Sequence, residues 1–270
     1  MAKGSRKLRE LLTAGKIDVV VEVRDARAPA STSSPLVNAI AKISPVIHVL
    51  SRKDLADDVK LQEWLSTLKH TYAADLRKRD GLPNIRRAIL RFKPQHREVR
   101  LAVIGIPNVG KSLLLNSLIG KSGAAVGNIA GITKSVSWYR NDGMLIVDSP
   151  GILDPHAEPG AHMILSWIGC SKAEVVGGWE NAALSLIKYL DANGMSSLIP
   201  VEHDEMASTT LELIGRKYGC LISGGRVNME LAGQKLIEAF SSGRLGKVCL
   251  ELPGGERAID FHDNEAADLV

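Results

Sequence analysis

The segment Gly105-Ile106-Pro107-Asn108-Val109-Gly110-Lys111-Ser112 fits G-x-x-x-x-G-K-[ST], with the apolar run Leu101 to Ile104 before it and the helix-like Leu113 to Ile119 after it. Strand, glycine-rich turn and helix in that order make a phosphate-binding loop. The glycines let backbone N–H groups close around phosphate oxygens, Lys111 reaches the β and γ phosphates, and the Ser112 hydroxyl suits Mg²⁺.

Around this loop, apolar strand-like runs alternate with helical stretches, the pattern of an α/β fold with a mostly parallel sheet. The spacing predicts helices over Lys7 to Leu12, Pro35 to Lys42, Val59 to Leu68 and Leu82 to Phe92. It predicts strands over Ile17 to Val23, Val46 to Leu50, His70 to Ala74 and Val99 to Ile104. Trp138 to Tyr139 and Met144 to Val147 read as a hairpin. Beyond Gly151 the pattern turns helical, including Glu180 to Leu190, Ser208 to Lys217 and Met229 to Phe240, so a smaller α-helical domain is expected to follow. The expected division is a nucleotide-binding domain over 1–160, a helical domain over 161–250 and an acidic tail over 251–270. That last stretch holds six acids against one Arg.

At 270 residues and 45% hydrophobic, the chain buries a full core. No apolar run reaches the ~18 to 20 residues of a membrane span, and Met1 to Lys7 lacks the apolar centre of a signal peptide, so the expected location is the cytoplasm. Cys170, Cys220 and Cys249 lie far apart without metal-ligand spacing and read as buried reduced thiols. Positive charge clusters early. Residues 3 to 16 hold five Lys/Arg against one acid, and Arg86, Arg87, Arg91, Lys93, Arg97 and Arg100 face only Glu98 between Asn84 and Arg100. Such a cluster is either a solvated face or a phosphate-backbone contact, with Arg86 and Arg87 foremost in the second case.

Three further elements belong with the loop. Asp148-Ser149-Pro150-Gly151 fits the D-x-x-G element that senses a γ-phosphate. There Asp148 holds Mg²⁺ through water, and the Gly151 N–H meets the phosphate. Thr133 in Gly131-Ile132-Thr133-Lys134 offers a second hydroxyl to Mg²⁺, with Ser135 and Ser137 as neighbours of similar chemistry. In an ordinary GTPase the guanine-reading N/T-K-x-D element follows the phosphate loop, yet nothing after Ser112 fits it. A degenerate copy, Ser51-Arg52-Lys53-Asp54, lies upstream at the end of a strand, so the chain reads as circularly permuted. If Asp54 does not read a base, a P-loop ATPase or small-molecule kinase is the reading left.

The order of these elements, with Asp25-Ala26-Arg27-Ala28-Pro29 after the first strand and Ser241-Ser242-Gly243-Arg244-Leu245-Gly246-Lys247 near the end, resembles the circularly permuted ribosome-assembly GTPases of the YlqF/RbgA type. The resemblance covers nearly the whole chain. It implies a GTP-dependent switch with slow intrinsic hydrolysis, acting in assembly of the large ribosomal subunit, with GTP and Mg²⁺ bound. The large subunit and its rRNA would be the partners, the latter through the helical domain, with no role for DNA or membrane. The alternative is a nucleotide-regulated RNA-binding module with negligible catalysis.

Carried over residue by residue, the resemblance gives Ser51, Arg52, Lys53, Asp54 and Ala74 to the base, with Ala74 standing for the alanine of the family's S-A element. It gives Asn108, Val109, Gly110, Lys111, Ser112, Thr133 and Gly151 to the phosphates, and Ser112, Thr133 and Asp148 to Mg²⁺. Lys111, Thr133 and Gly151 would act on the transferring phosphate. Asn108 is the position that helps hold K⁺ in K⁺-stimulated relatives. Three departures stand out. Ser51 and Arg52 replace the usual Asn and Lys, the His-bearing W-F-P-G-H segment of relatives would precede Met1, and Ile152 occupies the position where Ras-like enzymes orient water with Gln. His156 and His162 lie downstream.

Overall fold

A computed structural model describes residues 3–120, 123–126, 137–148, 159–202 and 206–254. The chain divides into two compact units, 1–155 and 156–270.

The first unit is built on one seven-stranded sheet. Its strands are β1 (Val19–Asp25), β2 (Val46–Ser51), β3 (Thr71–Ala74), β4 (Val99–Ile104), β5 (Ala124–Val126), β6 (Trp138–Asn141) and β7 (Met144–Asp148). Their spatial order is β3-β2-β1-β4-β7-β6-β5. The pairs β1/β2, β1/β4, β2/β3 and β4/β7 are parallel, while β5/β6 and β6/β7 are antiparallel. Every residue of β1 is buried, as expected of a β-branched central strand covered on both faces.

One face carries Val20, Ala102, Ile104, Trp138, Leu145 and Val147. Helix α1 (Lys3–Thr13) packs there through Leu8, Leu11 and Leu12, joined by Ile17 and by Ile40 of α2 (Val37–Ile40). The i, i+3, i+4 spacing puts these leucines on one helix face, and burying each contributes ~1.5 to 3 kcal/mol. Helix α1 stops at Gly15, whose φ of 62° lets Gly15 N bond Leu12 O and Lys16 N bond Leu11 O. The remaining helices of this unit are α3 (Asp58–Thr67), capped by Asp57 accepting from Lys60 N at 2.9 Å, α4 (Leu82–Leu90) and α5 (Lys111–Ile119).

The second unit contains α6 (Pro159–Trp167), α7 (Trp179–Ala192), α8 (Ala207–Lys217) and α9 (Met229–Ser241) among its described residues. Trp167 is fully buried and donates its indole N–H to Ala182 O at 2.9 Å. Its ring lies 5.1 Å from that of Tyr189. The Tyr189 hydroxyl donates to Leu250 O, and burial with the nearby Glu251 pushes its pKa up to about 12. Helices α7 and α9 meet backbone to backbone. A Cβ at Gly233 would stand 2.4 Å from Trp179 O, and the Glu230 carboxylate accepts from Trp179 N and Glu180 N at 2.8 Å each, capping α7.

Several elements differ from the sequence expectations. The helix expected over Pro35 to Lys42 shrinks to the single turn α2, with turns on either side and Pro45 directly ahead of β2. Strand β5 and helix α6 had no sequence signal strong enough to name them. The division between units falls at 155/156, and Glu251, the expected first residue of the acidic tail, is 4% exposed. The three cysteines are free and buried. Among the described residues, no helix is long and apolar enough to cross a membrane.

Candidate functional site

In a parallel sheet every strand presents its carboxyl end to the same edge, where ligands bind in the crevice beside the topological switch point. Here the switch lies between β1, whose chain continues to β2 and β3 on one side, and β4, which leads to β7 on the other. The register aligns the ends. Asp25 of β1 pairs with Ser51 of β2, and Ser51 with Ala74 of β3, while Val103 of β4 pairs with Asp148 of β7. Elements read as base-contacting and phosphate-contacting from separate stretches of the sequence therefore share one sheet edge.

The phosphate loop leaves β4 at Gly105, where a Cβ would stand 2.7 Å from Val23 O, so only glycine lets the loop pass β1 this closely. It ends at Gly110, at φ 98°, which serves as N-cap of α5. The N-terminus of α5 then carries Lys111, half-buried, and Ser112, exposed, at the positive end of the helix dipole, which favours an anion.

The turn Ser51 to Asp54 is fastened to this loop. Ser51, 1% exposed, donates its hydroxyl to Val109 O at 2.5 Å, and Arg52 Nη2 donates to Asn108 O at 2.9 Å. Arg52 holds φ 55°, a left-handed conformation uncommon for a non-glycine residue, and its Nη1 lies 3.4 Å from Asp25 Oδ2. Lys53 turns the other way, to an ion pair with Asp80; the Lys53 hydrogen bond and charge hold the Asp80 carboxyl below the usual range. Asp54 lies in the 3₁₀ turn Lys53–Leu55, exposed and with no ion-pair partner among the described residues. Ala74, fully buried, closes β3.

Thr133, Gly151, Ile152 and His156 lie outside the described residues, as does the Asp148 side chain; the backbone of Asp148 closes β7. His162 is on α6 of the second unit. Part of the basic cluster between Arg86 and Arg100 is spent within the fold. Arg86 Nη2 pairs with Asp142 Oδ2 at 2.7 Å, and Arg97 grips both oxygens of Asp18 at 2.6 and 2.7 Å while Arg100 N donates to the same carboxylate. Arg86 is thus a structural ion pair, while Arg87, Arg91 and Lys93 are exposed, as is Arg97 despite its pairing with Asp18.

Two charged groups beside the site carry roles that no motif had assigned. Asp25 accepts Arg27 Nε at 3.0 Å and Nη2 at 2.8 Å with both residues buried, and its N–H donates to Thr32 Oγ1, so Asp25-Ala26-Arg27 forms a closed knot beside Ser51 and Arg52. Glu22, fully buried on β1, accepts Arg24 Nε, His48 Nδ1 and Ser34 N at 2.7 Å each. Burial alone would push the Glu22 carboxyl up, but these partners outweigh it and hold it below the ordinary range. The signal in the sequence was the charged i, i+2 pair Glu22/Arg24 inside an otherwise valine-rich strand, which puts both on one face.

The family described as 50S ribosome-binding GTPase matches residues 100–199. Ribosome biogenesis GTPase A of Bacillus pumilus is 31% identical, over 94% of this chain and 96% of its own. GNP-bound YlqF from Thermotoga maritima superposes with a TM-score of 0.69 at 25% identity, over 94% of this chain and all of that one. A GDP-bound YlqF structure gives 0.68 at 26% identity, over 93% of this chain and all of that one. Similarity that runs end to end, through the permuted order of strands as well as the phosphate loop, makes this chain a member of the ribosome biogenesis GTPase A family.

Proposed function

We propose that the chain is a GTP-binding, slowly hydrolysing switch that acts in assembly of the large ribosomal subunit. The observation that carries this reading is the direct fastening of the base-reading turn to the phosphate loop through Ser51 to Val109 and Arg52 to Asn108, which unites a guanine-reading carboxylate with a triphosphate cradle. Asp54 accepts the guanine N1 and N2 hydrogens, Ala74 borders the base, and the loop amides with Lys111 hold the phosphates. Ser112, Thr133 and Asp148 offer oxygen donors, the set suited to Mg²⁺; they would hold the ion, which would supply positive charge against the phosphates. Asn108, exposed at φ 63°, is the position for K⁺.

The Asp148 to Gly151 element leads directly along the chain into the helical unit, so the state of the γ-phosphate biases that unit's presentation to rRNA. Ile152 has no group to orient water, which makes intrinsic turnover slow. A factor in ribosome assembly works where ribosomes are assembled, in the cytoplasm. Single-turnover GTP hydrolysis with and without purified large subunits tests the whole reading. Stimulation by the particle, strongest in K⁺, supports it. Fast hydrolysis by the protein alone, indifferent to the particle, overturns the switch and directs attention to His156 and His162.

A further inference from the structure

The side chains of the base-reading turn divide into donors and one acceptor, and the donors face the protein. Ser51 has a single hydroxyl hydrogen, and since Val109 O can only accept, the 2.5 Å bond between them consumes it. Arg52 directs Nη2 at Asn108 O and Nη1 at Asp25, and Lys53 is paired with Asp80. Asp54 is exposed, and an ionised carboxylate has no hydrogen to give. Guanine offers N–H donors on one edge and the acceptors N7 and O6 on the other.

Resting on the assignment of Ser51 to Asp54 as the base-reading turn, we propose that Ser51 is a positioning residue that latches this turn to the phosphate loop and donates nothing to the base. The turn then reads guanine through its N–H edge by Asp54 and leaves N7 without a side-chain donor. The geometry leaves Ser51 little freedom to do otherwise. It is 1% exposed, and its Oγ lies where a Cβ on Gly110 would come within 3.4 Å, so the hydroxyl is wedged between β2 and the start of α5. An asparagine at this place has two amide hydrogens, one for Val109 O and one to spare. The departure Ser51 thus separates two tasks that an amide can combine.

The test is competition of GDP and 7-deaza-GDP, which lacks the N7 acceptor, against a fluorescent GDP on the wild-type protein, Ser51→Ala and Ser51→Asn. The wild type is expected to bind the two nucleotides within about twofold of each other. Ser51→Ala should weaken both alike, by about 2- to 10-fold for one lost hydrogen bond, and leave their ratio unchanged. Ser51→Asn should prefer GDP by about 5- to 10-fold, the gain of one donor to the base. A mere packing role for Ser51 would not move that ratio. A wild-type preference for GDP of tenfold or more overturns the inference, whether it vanishes in Ser51→Ala, making Ser51 a base reader, or persists, giving N7 to another residue. The wild-type ratio decides without either variant folding. ADP binding as tight as GDP would sink the base-reading assignment itself, a different failure from guanine binding with N7 read.

Discussion

Replacing Asp54 by Asn is the sharpest perturbation of base recognition, because the turn that carries it is held by other residues. Ser51 and Arg52 bond the phosphate loop and Lys53 pairs with Asp80, so Asp54→Asn leaves those contacts in place and changes one exposed side chain. Two charge-assisted hydrogen bonds from guanine are lost, and the new amide N–H opposes a base N–H. A hydrogen bond to a charged group contributes ~1.5 to 3 kcal/mol, and leaving a donor unsatisfied costs ~1 to 3 kcal/mol. Asp54 is open to solvent, so water compensates part of this, and the net loss expected is ~2 to 4 kcal/mol, or roughly 30- to 1000-fold in GDP affinity. Xanthine, which has a carbonyl where guanine has its 2-amino group, should regain binding in the variant because the Asn amide can donate to it. Titration of GDP and XDP on both proteins measures this. Equal GDP affinity for wild type and Asp54→Asn would refute the assignment of Asp54 to the base.

Glu22→Ala strands the buried Arg24 and the half-buried His48 and should cost ~3 to 5 kcal/mol in urea unfolding at neutral pH. Because the folded pKa of Glu22 is depressed, its stabilisation is complete above the ordinary glutamate range and lost as pH falls through the lower folded value, so Glu22→Gln should flatten the acid limb of the wild-type stability curve. Gly233→Ala puts a methyl 2.4 Å from Trp179 O and should lower the stability of the helical unit by at least the ~1 to 3 kcal/mol of overpacking, read by thermal melting; an unchanged Tm would mean the two helices separate freely. If the exposed Arg87 and Arg91 touch rRNA phosphates, neutralising both should reduce the salt slope of subunit binding by about two units, whereas Arg86→Ala should reduce stability by losing Asp142.

The parts of this molecule legible in the sequence are those whose chemistry is local. Gly105 to Ser112 announces itself because close approach and anion binding need glycines at fixed offsets, and the valine run at 19–21 can only be a buried strand. Helices α3, α4, α5 and α7 to α9 follow from apolar spacing and caps such as Asp57 and Asn228. What stayed hidden depends on pairing across the fold. Pro35 to Lys42 has helical composition, but its apolar face is needed against α1 over only one turn. Strand β5 spans three residues and exists only because β6 offers it an edge. The sequence left the basic cluster open between a solvated face and a phosphate contact, and its internal pairings were hidden because Asp18 and Asp142, which absorb Arg97 and Arg86, lie 79 and 56 residues away in the chain.

The same distinction explains why the permuted order leaves the site intact. A nucleotide site on a parallel sheet needs particular strand ends at one edge, and that edge is fixed by register rather than by which strand comes first. Val19 to Glu22 of β1 pair with Leu101 to Ile104 of β4, bringing the strand before Asp25 alongside the strand before Gly105. The connections that a permutation cuts or creates lie outside this register. Within that register the chain ties the turn Ser51 to Asp54 down with side-chain bonds: Ser51 to Val109, Arg52 to Asn108, and Arg52 to Asp25, itself held by Arg27. Removing those bonds, rather than moving the termini, is what should separate base recognition from phosphate binding.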